Sequence, residues 1–152
     1  MHPAYFETRF RLESPVGRLS NSFAIVSAYA TTGQIWTDER NRMADESLKA
    51  KLIQIERPHH RIVGYSPRTQ HAQPSWLIEV DEPTAVAIGL AYHQDAIYVV
   101  EADALWVVRC VEPSVRSYIG SFRERLDGVV PLPPEGSEEV KDIDGRAEGV
   151  VP

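Results

Sequence analysis

The segment Phe23-Ala24-Ile25-Val26-Ser27-Ala28-Tyr29 is a near-continuous apolar run, and it constrains the fold more than any other stretch. A half-buried strand alternates apolar with polar, whereas an unbroken apolar run of strand length needs cover on both faces or a place at the sheet centre. The chain must therefore build a sheet around this run. Thr31-Thr32-Gly33 ends it, and Thr37 then stands as an N-cap with Asp38 and Glu39 in the first turn, where their charge complements the helix dipole. Ala44, Leu48, Leu52 and Ile55 follow at helical spacing and Pro58 closes the segment, which predicts a helix over about residues 38–56.

Further strands are expected at 5–12 (an edge strand), 61–65, 76–80, 96–100 and 105–108, the last two joined as a hairpin through Glu101-Ala102-Asp103-Ala104. Asp81 or Glu82 caps a second helix that accepts Pro83 in its first turn, buries Val86, Ala87 and Leu90, and ends near Gln94. Pro113 opens a third, on which Val115, Tyr118, Ile119, Phe122 and Leu126 keep helical spacing although Gly120 weakens it. The order predicts an α+β fold: a ferredoxin-like two-layer sandwich with a β-α-β-β-α-β core, an extra N-terminal strand, an extra C-terminal strand and a C-terminal helix. The third helix must bury its stripe against its own sheet, with a homodimer as the alternative.

Charge divides the chain in two. Residues 1–126 carry 14 basic and 15 acidic side chains, whereas 127–152 carry 2 and 7. Residues 1–126 thus read as a single domain, and 127–152, with four prolines and no aromatic residue, as an acidic flexible tail. A nearly neutral domain lacks the basic footprint of general nucleic-acid binding. No apolar run approaches the ~20 residues of a membrane span. The first residues show no secretory pattern, so the cytoplasm is the expected compartment. The lone Cys110 excludes an intrachain disulfide and a multi-cysteine metal site, and no HExxH or comparable metal spacing occurs.

Right-handed crossovers would gather several polar residues at one loop edge. Tyr29, Thr31 and Thr32 follow the central strand, and Asn41 opens the first helix. Arg68, His71 and Gln73 occupy the loop before the fourth strand, while His93 and Gln94 end the second helix. Asn41 falls one heptad before Leu48, on the stripe facing the sheet, so it needs a partner: backbone of the adjoining loop, or a ligand. Gln94 invites the same two readings. Cys110 has no motif around it, and the pairs Asp38-Glu39 and Asp81-Glu82 are explained by capping, so no catalytic residue, metal or cofactor is assigned.

The run 23–29, the sequence Thr37-Asp38-Glu39-Arg40-Asn41 with Leu48 and Leu52, and Gln94-Asp95-Ala96-Ile97 together resemble a family of small bacterial proteins classed only as a domain of unknown function, over about residues 4–108. That family's pattern is a strand ending in Thr-Ala-Trp-Asn-Pro, a helix opening with Ser and Glu-Asn, and a second helix ending in Gly-Gln-x-Ala-Ile. Here Ala30-Thr31 replaces Asn-Pro, Arg40 replaces Glu, His93 replaces Gly, and Gln73 stands where a Glu often precedes the fourth strand. Asn41 and Gln94 keep their places. The resemblance implies no reaction. The expectation is a non-enzymatic binding module that recognises a small polar or anionic, nucleotide-like ligand through Tyr29, Asn41, Arg68, His71, Gln73, His93 and Gln94. The alternatives are a hydrolase using His71 or His93 as acid/base, or a module that binds a protein partner.

Overall fold

The structure, a computed structural model, describes residues 1–127. The expected tail from residue 128 onward lies outside the described residues. A 3₁₀ turn at Pro3–Phe6 precedes β1 (Arg9–Leu12), β2 (Ser22–Val26), α1 (Asp38–Gln54), β3 (His59–Tyr65) and β4 (Ala72–Ile78). There follow α2 (Glu82–Ala91), β5 (Ala96–Glu101), β6 (Ala104–Arg109), β7 (Arg116–Ser121) and the single turn α3 (Phe122–Arg125). The capping readings hold. Thr37 Oγ1 accepts the Arg40 N–H at 3.1 Å, and Asp81 Oδ1 accepts the Thr84 N–H at 2.9 Å. Ala102 and Asp103, both with positive φ, make the two-residue turn between β5 and β6.

All seven strands form one antiparallel sheet in the order β1-β3-β4-β2-β5-β6-β7. β2 and β3 therefore run the same way, since β4 lies antiparallel between them, and β4 and β5 are related likewise through β2. The sheet curls into a half-barrel. Phe10 of β1 meets Tyr98 of β5 edge-on at 5.1 Å, although three strands separate them along the ladder. Only a face folded in on itself brings those rings together.

This overturns the ferredoxin-like two-layer sandwich expected from the element order. A two-layer sandwich covers one sheet face with helices, whereas this curled sheet encloses a second core on its other face. On the outer face Leu48 and Leu52 of α1 and Ala85, Val86 and Ile88 of α2 pack against Val26, Ile78, Ile97 and Val108. On the inner face Phe10, Leu12, Phe23, Ile62, Leu77, Val100 and Leu105 close around Phe122. The helix expected at 113–126 is absent. Its residues pair with β6 as β7, and only Phe122–Arg125 turn helically. Gly120 has φ +120°, which no helix interior accepts, and pairing β6 satisfies a whole row of backbone groups that a helix would have left bare. The helical stripe, expected to pack on its own sheet or else across a homodimer, therefore does not exist.

Three smaller readings also shift. Tyr5 lies in the 3₁₀ turn rather than a strand. β4 begins at Ala72, so Gln73 and Pro74 are strand residues. In α2 the buried positions are Ala85, Val86, Ile88 and Gly89, while Ala87 and Leu90 are exposed. Pro74 is tolerated beside β2 because its carbonyl, and hence its missing N–H, faces β2 just where that strand's ladder has ended; the carbonyl instead accepts the Ser27 hydroxyl at 2.9 Å.

Candidate functional site

Along the inner face the side chains change character from one end to the other. β2 runs Phe23, Ile25, then Ser27; β4 read backwards runs Leu77, Ser75, Gln73; β3 runs Ile62, Gly64, Ser66. A period of two keeps each of these sets on one face, so the half-barrel is apolar at one end and polar at the other. At the polar end lies a cavity of about 60 Å³, and its lining includes Ser27, Gln73, Ser75, Gln94 and Tyr98, with His71 at an exposed rim. The mouth of a barrel-like sheet is a common place for a small-molecule site.

The loop leaving β2 is held there by side-chain amides. Asn41 Oδ1 accepts the Ala30 N–H at 2.8 Å. Gln73 Nε2 donates to Ala30 O at 3.0 Å and to Ser27 Oγ at 3.1 Å, and Gln94 Nε2 donates to Tyr29 O at 2.8 Å and Tyr92 O at 3.1 Å. Thr31 Oγ1 accepts the Asp95 N–H at 2.9 Å. A chain turning out of a buried strand has backbone groups with no ladder partner; Asn41, Gln73 and Gln94 supply the partners, and Thr31 ties the loop to the start of β5. Gln94 is itself fixed by its backbone. The helix α2 ends in a Schellman arrangement, with Gln94 N–H on Gly89 O at 2.8 Å, His93 N–H on Leu90 O at 3.1 Å, and His93 at φ 62°.

The 3₁₀ turn covers the cavity from the N-terminal side. Buried Tyr5 hydrogen-bonds Thr31 Oγ1 through its hydroxyl at 3.1 Å, and Tyr98 donates to Thr8 Oγ1 at 2.7 Å and Tyr5 O at 3.2 Å. Burial pushes both phenols above their ordinary pKa, with the Asp95 charge raising Tyr5 further and the neighbouring Tyr5 raising Tyr98. Both stay neutral at physiological pH. Burial also pushes the Cys110 thiol up to about 11, which makes it a poor nucleophile.

Of the residues singled out in the sequence, Thr32, His71, Gln73 and Gln94 line this cavity. Asn41 and Tyr29 lie behind its wall and hold the loop. Exposed His93 forms the helix end outside the lining. Arg68 is turned away: it pairs with Glu7 at 2.5 Å beside a separate open groove of about 500 Å³ that Arg9 and Arg125 also line. Sequence reasoning passed over Tyr5, Thr8, Ser75 and Tyr98. Ser75, alternating with Leu77 before the apolar end of β4, and Ser27, the one serine in the central run, were the available signals. Among the described residues no three His, Cys, Asp or Glu side chains converge as a metal site, and no helix is long and apolar enough to cross a membrane.

These features define a class: a curled antiparallel sheet backed by two helices, with a pocket of mixed polar and apolar lining in its mouth. Within it, residues 26–97 match the family described as "Protein of unknown function (DUF3293)". The resemblance drawn from the motifs is thus to an uncharacterised family, over a span narrower than 4–108; it takes in Asn41, Gln73 and Gln94 but not β1, β6 or β7. No curated protein and no solved structure matches the chain.

Proposed function

We propose that this protein is a cytoplasmic binding module that takes up a small polar ligand, or the polar head of a larger one, in the mouth of the half-barrel. The carrying observation is a cavity at the end of an otherwise apolar inner face, in which Ser27, Gln73, Ser75 and Gln94 stand among Phe10, Ile25 and Tyr98. A chain that needed only a core would gain more by filling this space with apolar side chains, at about 0.8 kcal/mol per buried CH₂. Its walls are also preorganised, since the amides that line it are locked by backbone contacts, and rigidity of this kind lowers the cost of binding.

The size of the cavity, about 60 Å³, suits a group of a few heavy atoms rather than a nucleotide. The guanidiniums that would favour an anion are already engaged. Arg68 pairs with Glu7, Arg9 with Asp127, and Arg125 with the carbonyls of Phe6, Thr8 and Ile119. Of the two histidines considered for acid/base work only His71 reaches the cavity, which favours binding over hydrolysis. A thermal-shift screen of small polar metabolites and nucleotides tests the proposal, because a ligand bound only to the native state raises the melting temperature. At least one small polar compound is expected to stabilise the protein. A screen without stabilisers, combined with recovery of a protein partner from a pull-down, overturns the reading.

A further inference from the structure

The hydrogen-bond inventory of the mouth narrows the chemistry of its ligand; the step rests on the binding reading just given. A carboxamide has two N–H donors and one carbonyl acceptor. Gln94 places its donors on Tyr29 O and Tyr92 O, and Gln73 places its donors on Ala30 O and Ser27 Oγ. Each amide meets at least one backbone carbonyl, which can only accept, so the orientation of both groups is fixed by their partners. Both donors of each glutamine are committed, and neither Oε1 receives a hydrogen bond from a described residue.

Gln94 is only 6% exposed, yet its Oε1 is not among the sealed, unpartnered atoms; among the described residues that condition applies to Arg109 Nε alone. The free Gln94 Oε1 is therefore accessible, and the side chain that carries it lines the cavity. Four of the lining hydroxyls are spent in the same sense: Tyr98 donates to Thr8 Oγ1, Thr8 to Ala4 O, Ser27 to Pro74 O, and Ser75 to Gln73 O. What these four have left to offer is lone pairs, whereas the Ser66 hydroxyl and the His71 ring, elsewhere in the lining, keep donors of their own. No Lys or Arg lines the cavity.

We infer that the wall of the mouth built by Gln73 and Gln94 selects a small N–H donor, an amidinium, ammonium or primary amide group, over an anion of the same shape. An anion would set its own lone pairs against those of Gln73 and Gln94 and leave buried acceptors unpaired, whereas a donor satisfies them.

The test uses three probes of one shape: acetamidinium, acetamide and acetate, titrated at matched ionic strength against the full chain labelled with nitrogen-15. Acetamidinium and acetamide are expected to shift the side-chain amide signals of Gln73 and Gln94 saturably in the millimolar range, the scale open to so few heavy atoms. Acetate is expected to bind about tenfold more weakly or worse, the size of effect that one buried unpaired acceptor produces. In Ser75→Val, which fills the cavity from β4 and leaves both glutamines in place, the shifts should vanish while the spectrum keeps its dispersion. Acetate binding as well as the other two overturns the donor preference but leaves a polar pocket. No saturable shift from any probe brings down the binding reading as well, and shifts that persist in folded Ser75→Val move the site elsewhere and overturn the assignment.

Discussion

His93 shows how one residue can be read from both directions. It occupies the left-handed position that ends α2, at φ 62°, where the resembling family pattern carries glycine. A side chain there costs roughly 1 kcal/mol through the clash of its Cβ with the following carbonyl, and glycine avoids it. His93→Gly is therefore expected to stabilise the protein by about 0.5–1 kcal/mol after the larger unfolded-state entropy of glycine is subtracted, raising the melting temperature by about 2–3 °C. His93→Ala keeps the Cβ and should give no such gain; equal melting temperatures for His93→Gly and the native protein in a circular-dichroism melt would count against the strain. At this scale much was legible. A polar residue on a buried stripe must have a partner, so Asn41 stood out from its spacing and Gln94 from its place at a helix end, and both prove to bind backbone groups of the 27–31 loop. Arg68 misled because a guanidinium in a polar loop reads as an anion site until Glu7, 61 positions away, is seen beside it. Its partner is set by the curl of the sheet, which spacing does not encode.

Elements were legible where local chemistry decides them. Thr37 and Asp81 mark their helix starts whatever the tertiary fold, because free N–H groups at a helix end take the nearest side-chain oxygen. β7 was not legible. Its residues keep helical spacing, and only the unpaired edge of β6, a non-local demand, makes them a strand; a β-bulge between Leu105 and Trp106 adjusts the register. A similar conflict between local and tertiary demands sits at Gly89 inside α2. Helix propensity alone says that Gly89→Ala stabilises by about 1 kcal/mol. The packing says the reverse, since a Cβ there would lie 2.7 Å from Cys110 Sγ and 2.9 Å from Ile97 Cγ2, both buried. Overpacking of this degree costs about 1–3 kcal/mol, so Gly89→Ala should melt below the native protein. Cys110→Ala removes one of the two clashes, and in a double-mutant cycle the pair should lose less than the sum of the singles. A stabilised Gly89→Ala would mean that α2 sits further from the sheet than described.

At the scale of the whole molecule, the short segment after β7 decides the shape. Phe122 plugs the inner core against Phe10 at 5.7 Å and Phe23 at 5.2 Å, and Leu126 bridges to Phe10 on the free edge of β1. Asp127 completes the closure. It takes two hydrogen bonds from Arg9, at 2.6 and 2.7 Å, and one from the Tyr65 hydroxyl. These contacts, that of Arg9 first, hold its carboxyl down at about 2. In the unfolded chain the same group titrates near ~3.9. A carboxylate whose pKa is lower in the folded state adds stability above the unfolded value and loses it as the pH falls toward the folded one. The contribution should thus be full above about pH 5, roughly half gone by pH 3, and absent below pH 2. Both side chains are about one-third exposed, at 35% and 34%, so solvent and salt screen the pair and its worth is about 1 kcal/mol or less. Asp127→Asn is expected to lower the melting temperature by about 2–3 °C at pH 7 in low salt. That difference should shrink in molar salt and narrow steadily as melts are repeated from pH 5 down to pH 3. A difference that stays constant over this range would assign the effect to the lost shape of the carboxylate rather than to its charge. No difference at pH 7 would mean that the two edges of the half-barrel are held together by Phe122 and Leu126 alone.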